Sequence, residues 1–161
     1  MKENKNGVIV NISATLHYRG EMLQYHAGGA KAAADSLIRH SAQEWGRYGI
    51  RTVGIAPGPI ADTTGMVNLG GFTFYKNNEK KNMFRDTIPL QRLGTKKEIA
   101  DTCIYLVSDA ASYITGEIVV VDGGQWLMMG GQGGNMYFND PKIKEIIKSM
   151  KSKRKKQKSK L

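Results

Sequence analysis

The sequence predicts an α/β fold built on a parallel sheet, because three short apolar runs alternate with helical segments. The β-branched apolar residues Val and Ile are frequent in residues 7–12, 50–55 and 117–122. Runs of this kind are typical of strands that are buried on both faces. A helical segment separates the first two runs, and a long loop followed by a second helix separates the last two. This order favours right-handed crossovers in a parallel arrangement.

The first predicted strand, residues 7–12, reads Gly-Val-Ile-Val-Asn-Ile. The helix that follows spans residues 27 to about 47, because apolar and small side chains recur there at helical spacing. The predicted inner stripe consists of Ala34, Leu37, Ile38, Ser41, Ala42 and Trp45. Tyr48 and Gly49 end this helix.

The second predicted strand, residues 50–55, stops at Pro57-Gly58-Pro59, because proline cannot donate to a strand ladder. Residues 61–90 are mixed and weakly periodic, which is typical of a lid or substrate loop between a strand end and a helix.

The second predicted helix begins at a capping box, Thr95-Lys-Lys-Glu98. Its inner face is predicted to carry Ile99, Cys103, Leu106 and Val107. The third strand, residues 117–122, is closed by Gly123-Gly124.

Composition favours a soluble intracellular protein. One cysteine among 161 residues excludes an internal disulfide framework. No apolar run approaches the roughly 20 residues of a membrane-spanning helix, and the N-terminus has no signal-peptide pattern. Most of the net charge of +10 lies in residues 142–161, which hold ten basic residues and one acidic residue, Glu145. We expect a solvated basic tail rather than a nucleic-acid site, since aromatic stacking partners and nucleic-acid motifs are missing.

Four motifs in order resemble the C-terminal half of the short-chain dehydrogenase/reductase family. They are Val-Ile-Val-Asn-Ile-Ser at 8–13, Lys31 within Ala-Lys-Ala-Ala, Pro-Gly-Pro-Ile at 57–60 and Val-Asp-Gly-Gly at 121–124. Each motif is weak alone, but their order and spacing fit over residues 7–124. The resemblance implies the C-terminal half of a Rossmann-type doubly wound parallel sheet, with three strands expected in this chain.

Within that family the chain more closely resembles the peroxisomal 2,4-dienoyl-CoA reductases, through residues 11–20, residues 90–94 and His26-Ala27. A typical family member has a general-acid Tyr four residues before its active-site Lys; here that position is Ala27, while Lys31 is kept. The family's substrate-orienting Ser falls at Ala14. A dienoyl reductase reduces a conjugated carbon–carbon system, so these losses fit the resemblance.

The resemblance implies an NADPH-dependent reduction of 2,4-dienoyl-CoA thioesters in the β-oxidation of unsaturated fatty acids. The catalytic candidates are Lys31, which would hold the nicotinamide ribose, Ser13, which could donate to the thioester oxygen, and His26, which could relay a proton. An ordinary strand-end role for Ser13 and a packed or surface role for His26 remain open. The cofactor-binding candidates are Lys31, Pro57, Gly58, Pro59, Ile60 and Thr63.

The predicted lid carries four cations that could steer the phosphates of a fatty acyl-CoA substrate, although a solvated lid face is an equal alternative. They are Lys76, Lys80, Lys81 and Arg85. The histidines and the cysteine do not have metal-ligand spacing, so no metal site is predicted.

The chain ends in Ser159-Lys160-Leu161, a peroxisomal address that an import receptor reads from a free C-terminus. We therefore divide the chain into residues 1–129, a partial reductase domain, and residues 130–161, a glycine-rich connector with a lysine-rich tail that ends in this signal. The predicted location is the peroxisome.

The family's glycine-rich phosphate turn would precede Met1, so the cofactor half of the fold is expected to be missing. Two interpretations follow: a part of a longer reductase, which is expected to be a homo-oligomer when full length, or an inactive truncated product that at most associates with full-length subunits. In either case the isolated chain is expected to bind NADPH poorly.

Overall fold

The computed structural model describes residues 1–21, 24–65, 87–128, 141, 144–146 and 148–149. Its strands are β1 (Gly7–Ile12), β2 (Ile50–Pro57) and β3 (Ile118–Val121), and its α-helices are α1 (Leu16–Arg19), α2 (Tyr25–Trp45) and α3 (Lys96–Val107). Single 3-10 turns follow α2, α3 and β3 at Gly46–Tyr48, Asp109–Ala111 and Gln125–Leu127.

The three strands form one parallel sheet in the order β1-β2-β3. Gly7 pairs with Ile50 at the start of the first ladder, and Gly54 pairs with Ile118 at the start of the second. The predicted α/β class and the predicted three parallel strands are confirmed over the described residues.

The two longer helices pack on opposite faces of β2. Ala56 joins Ile38 of α2 in one buried cluster, whereas Val53 and Ile55 join Leu106 of α3 in another. Alternate residues of a strand point to opposite faces, so both faces of this central strand are covered. Gly54 allows α2 to approach closely, since a Cβ there would lie 2.7 Å from Ile38 Cδ1.

The capping box at the start of α3 is confirmed. The Thr95 hydroxyl accepts from the Glu98 backbone N–H at 3.2 Å, and the Glu98 carboxylate accepts from the Thr95 backbone N–H at 2.8 Å. Arg92 donates to the same carboxylate. These donors, Arg92 first, lower the pKa of Glu98 to about 2.

The stripes predicted to face the core are partly wrong. On α2, Leu37 is 62% exposed and Trp45 is also exposed, while Ile38 is fully buried. The helix turns Gly28, Asp35 and Ile38 inward instead, so a polar residue occupies part of the buried face. On α3, Val107 is exposed because Leu106 fills the contact with the sheet.

Several predicted features lie outside the described residues. These are the lid residues Lys76, Lys80, Lys81 and Arg85, the glycines at 130–134 and the terminal Ser159, Lys160 and Leu161. In the part of the chain that the structure describes, no helix is long and apolar enough to cross a membrane.

Candidate functional site

The carboxyl ends of the three parallel strands meet at one edge of the sheet, which is where open α/β sheets bind ligands. A cleft of about 280 Å³ lies there. Its lining includes Pro59, Ile60, Leu90, Arg92, Gly94, Glu98 and residues 120–124. Two of the predicted cofactor-binding residues, Pro59 and Ile60, thus share a cleft with the Val-Asp-Gly-Gly motif.

A second cleft, of about 460 Å³, lies at the other edge of the sheet beside Lys2, Trp45, Arg47 and Tyr48. These residues precede the amino ends of β1 and β2. Despite its larger volume, we place the candidate site at the carboxyl edge, because ligands of parallel α/β sheets bind there.

The Pro-Gly-Pro turn and the Val-Asp-Gly-Gly turn are packed together. The Gly58 N–H donates to the Val121 carbonyl at 3.0 Å, and a Cβ at Gly58 would lie only 2.5 Å from Asp122 Cβ. Asp122 in turn accepts from the Gly124 and Trp126 backbone N–H groups at 2.8 and 2.7 Å. A glycine at position 58 is therefore required by this close approach.

The segment after Pro59 is fixed by a short parallel bridge between Ile60 and Gly94. The Gly94 N–H donates to Pro59 O at 3.0 Å, and the Thr63 hydroxyl donates to Ile60 O at 2.9 Å. These bonds stabilise the turn from Pro57 to Thr63, of which Pro59 and Ile60 line the cleft. The cofactor-binding role of these residues remains a prediction.

Lys31 reaches the end of β1. Its Nζ donates to the Ile12 carbonyl oxygen at 2.8 Å, from the second turn of α2. The ammonium is therefore held at the carboxyl edge of the sheet, beside the position of Ala14. This location agrees with the predicted role of Lys31 without testing it.

Asp35 forms a buried hub one helical turn after Lys31. Its carboxylate accepts a hydrogen bond from the Ser13 hydroxyl, and its second oxygen lies 2.6 Å from His17 Nε2. Asp35 and Ser13 are 2% and 3% exposed. Because the carboxylate lies between the hydroxyl and the imidazole, this is not the arrangement of a hydrolase triad, in which His lies between Ser and Asp.

Aromatic contacts connect His17, a partner of Asp35, to Trp126 just after β3. The Tyr18 ring is edge-on to His17 at 4.5 Å and to Trp126 at 5.7 Å. Burial raises the pKa of Tyr18 above its ordinary value, and the charge of Asp35 and a hydrogen bond to it raise it further. Tyr18 is therefore a protonated phenol at neutral pH.

His26 lies at the exposed start of α2, with its ring 5.8 Å from that of the exposed Tyr25. Lys31 binds the last residue of β1, Ile12, and Ser13 is the next residue along the chain. Among the hydrogen bonds of the described residues, none joins His26 to Ser13 or Lys31. No group of three or more His, Cys, Asp or Glu suited to a metal is found in the described part of the chain.

Sequence reasoning missed Asp35 and His17. The available signal was an acidic residue four positions after Lys31, on the inward side of an otherwise small and apolar segment. Residues at this spacing share a helix face, and an unpaired carboxylate is costly to bury. A partner at the end of β1 could have been inferred from these two facts.

A family model described as "Enoyl-(Acyl carrier protein) reductase" matches residues 1–125. The chain is 51% identical over 125 residues to a peroxisomal 2,4-dienoyl-CoA reductase of Danio rerio, covering 78% of the chain and 40% of that protein. It is 42% identical over 153 residues to one from Saccharomyces cerevisiae, covering 95% of the chain and 48% of that protein. The chain thus spans less than half the length of these two relatives.

Solved structures give the same picture. Levodione reductase matches with a TM-score of 0.72 and 35% identity, over 79% of this chain and 49% of that one. A 3-oxoacyl-[acyl-carrier protein] reductase from Brucella melitensis, solved with bound NAD, matches with a TM-score of 0.64 and 32% identity, over 78% of this chain and 43% of that one.

Proposed function

The chain belongs to the short-chain dehydrogenase/reductase family, and from this premise we propose that it forms part of the active site of an NADPH-dependent 2,4-dienoyl-CoA reductase. It is homologous to peroxisomal 2,4-dienoyl-CoA reductases over part of their length. The activity is proposed for a longer enzyme, because the chain spans only 40% of the Danio rerio relative.

The observation that carries the proposal is the placement of Lys31 without a companion Tyr. Its ammonium lies at the carboxyl end of β1, 2.8 Å from Ile12 O, while the position four residues earlier is Ala27. A carbonyl reductase of this family would need a proton donor at that position. Reduction of a conjugated diene does not, because the hydride acceptor is carbon rather than a ketone.

We assign the nicotinamide end of a dinucleotide to the cleft at the carboxyl edge, because ligands of parallel α/β sheets bind at that edge. Its volume of about 280 Å³ lies just below the roughly 300–1,000 Å³ typical of sites that enclose a whole small ligand. The Pro59–Ile60 segment would contact the carboxamide, and Lys31 would bind the ribose hydroxyls. The choice of NADPH over NADH belongs to this proposal as an inference from the resemblance.

When bound, the nicotinamide supplies a hydride to the far carbon of the diene. The electron pair of that double bond would move through the conjugated system to the thioester oxygen, and an acid or activated water would then protonate the α carbon. Overall, one hydride and one proton are consumed and an enoyl thioester is formed. Ser13 would donate to the thioester oxygen only after breaking its hydrogen bond to Asp35, which accepts from its hydroxyl in this structure.

Three further assignments belong to the same proposal. The cations Lys76, Lys80, Lys81 and Arg85 would steer the phosphates of the acyl-CoA. An import receptor would bind the terminal Ser-Lys-Leu and direct the protein to the peroxisome. The full-length enzyme would be a homo-oligomer.

A second candidate function is a catalytically inactive product that associates with full-length subunits. It is favoured by exposed apolar side chains on the two long helices. Leu37 on α2 and Ile104 and Tyr105 on α3 are 62%, 65% and 47% exposed. Such side chains on the outer faces of the two helices would be available for contact with another subunit.

A chimera distinguishes the two functions. The segment of the Danio rerio reductase that precedes its match would be fused to Met1 of this chain, and NADPH-dependent loss of a 2,4-dienoyl-CoA would be measured. The proposal predicts turnover that Lys31→Ala abolishes and that Lys96→Ala, an exposed lysine on α3, leaves intact. A folded, inactive chimera would support the second candidate instead.

A further inference from the structure

We propose that Asp35 is a positioning residue of this site: it fixes α2 on the end of β1 and so holds Lys31 in place. The proposal rests on the proposed function for its catalytic meaning. The structural relationship it describes can be measured in the chain without turnover.

The side chains of Lys31 and Asp35 form hydrogen bonds with the consecutive residues Ile12 and Ser13. Lys31 and Asp35 are four residues apart on α2 and so share one helix face. Lys31 donates to Ile12 O at 2.8 Å, and Asp35 accepts from the hydroxyl of the next residue, Ser13. The Ser13 backbone N–H donates in turn to Ile55 O on β2 at 2.7 Å. Helix, strand end and sheet are thereby connected in a short chain of bonds.

Asp35 holds α2 more strongly than Lys31 does. It is 2% exposed, and its two oxygens pair with the Ser13 hydroxyl and the His17 imidazole. A buried carboxylate is tolerated only with such partners, so any displacement of α2 that separates it from Ser13 and His17 is costly. The Lys31 side chain is partly exposed, and it donates to a neutral carbonyl. Its ammonium would therefore move with α2 if the helix were displaced.

The start of α2 needs such an anchor. Gly28 and Gly29 lie in its first two turns. Glycine is a poor helix former. The segment that carries Lys31 is therefore weak as an isolated helix, and Asp35, one turn later, is buried and bonded to Ser13, the residue that follows β1.

His17 joins the same anchor from α1. Its Nε2 lies 2.6 Å from Asp35, whereas its buried Nδ1 has no hydrogen-bond partner among the described residues. In that part of the chain, Asp35 is the group that orients the imidazole. The loop between β1 and α2 is thus tied to the carboxylate that positions Lys31.

The first test uses the 161-residue chain and NMR. Asp35→Asn keeps the size of the side chain and removes its charge, and Glu44→Gln removes an exposed carboxylate from the same helix as a control. The proposal predicts that Asp35→Asn shifts the Lys31 Nζ resonance and speeds its proton exchange, while Glu44→Gln leaves both unchanged. Unchanged Lys31 signals in a folded Asp35→Asn chain would overturn it.

A second variant keeps the proposal testable if Asp35→Asn fails to fold. His17→Ala leaves the Asp35 carboxylate and its Ser13 bond in place but removes one partner. A smaller shift of the Lys31 signals in the same direction is expected. If the His17→Ala chain folds and Lys31 is unaffected, the network does not act on Lys31.

The second test uses the chimera and separates positioning from mere stability. Asp35→Asn is expected to raise the KM for NADPH by about tenfold or more, since small misplacements of a binding group are costly, with little change in the KM for the dienoyl-CoA. Asp35→Glu, which keeps the charge, should recover part of the loss. If Asp35→Asn lowers the melting temperature but leaves the kinetic constants unchanged, Asp35 stabilises the fold and does not position Lys31.

Discussion

The Nζ of Lys31 lies 2.8 Å from the carbonyl oxygen of Ile12, so an ammonium from α2 is held at the carboxyl end of β1. Ligands bind at this end of parallel strands. The cleft that Pro59, Ile60 and the Val-Asp-Gly-Gly turn line lies at the same carboxyl edge of the sheet. The proposed activity depends on Lys31.

Lys31→Ala is expected to remove most cofactor binding from the chimeric enzyme, because no other described cation is bonded to the end of β1. Calorimetric titration with NADPH measures the loss directly. Lys96→Ala should bind like the unmodified chimera. Full affinity in Lys31→Ala would show that the ammonium does not contact the cofactor.

Gly58→Ala is expected to destabilise the chain by about 1–3 kcal/mol, the usual cost of overpacking. Its Cβ would lie 2.5 Å from Asp122 Cβ and 2.8 Å from Asp122 Cα, so the two turns that line the cleft would be pushed apart. Urea unfolding measures the change. Gly29→Ala is the control: a Cβ there meets nothing within 4 Å, and it should stabilise α2 by up to about 1 kcal/mol.

Ile38→Ala is expected to cost about 2–5 kcal/mol, because the side chain is fully buried between α2 and the sheet. Its neighbour Leu37 is 62% exposed, so Leu37→Ala should change the free energy of unfolding by about 0.5 kcal/mol or less. Comparable losses from the two variants would mean that α2 is rotated relative to the present structure.

Glu98→Gln is expected to destabilise the chain at neutral pH but not in acid. Arg92 and Thr95 hold the pKa of Glu98 at about 2, below its ordinary 4.5. A depressed folded-state pKa contributes stability above pH 4.5, and this contribution is lost as the pH falls toward 2. Urea unfolding of both proteins across this range should show the difference shrinking. If the difference in free energy of unfolding between the two proteins does not change with pH, the ionised Glu98 carboxylate does not stabilise the capping box.

Deleting Leu161 is expected to leave an N-terminally tagged fluorescent fusion in the cytosol, whereas the intact fusion enters peroxisomes. The import receptor reads a terminal Ser-Lys-Leu with a free carboxylate. Lys31→Ala should still be imported, since the signal is independent of the site. Diffuse fluorescence from the intact fusion would contradict the address.

The sequence predicted the strands and the capping box because their signals are local. An apolar run such as residues 50–55 predicts a buried strand by itself. The capping box needs only Thr95 and Glu98, which are three residues apart. The orientation of α2 could not be predicted in the same way, since the apolar stripe through Leu37 and Trp45 differs from the side that packs. The helix instead buries Asp35, whose partners Ser13 and His17 lie 22 and 18 residues away in sequence.

The candidate site was predicted residue by residue from the resemblance, but its arrangement required the structure. Lys31 and the Pro57–Thr63 turn were expected to share a site, and both lie at strand ends. The hydrogen bond between Ser13 and Asp35 was not foreseen, since strand-end serines often donate to ligands or water. In the structure the buried Asp35 carboxylate accepts the hydrogen bond from the Ser13 hydroxyl instead.

Substrate preference of the chimeric enzyme separates a dienoyl-CoA reductase from a carbonyl reductase. NADPH oxidation would be followed with a 2,4-dienoyl-CoA and, separately, with simple ketones at the same enzyme concentration. The account predicts turnover of the dienoyl thioester and little action on ketones, because Ala27 supplies no proton to a carbonyl oxygen. A chimera that reduces ketones at a comparable rate, or that binds NADPH but leaves the dienoyl thioester unchanged, would contradict it.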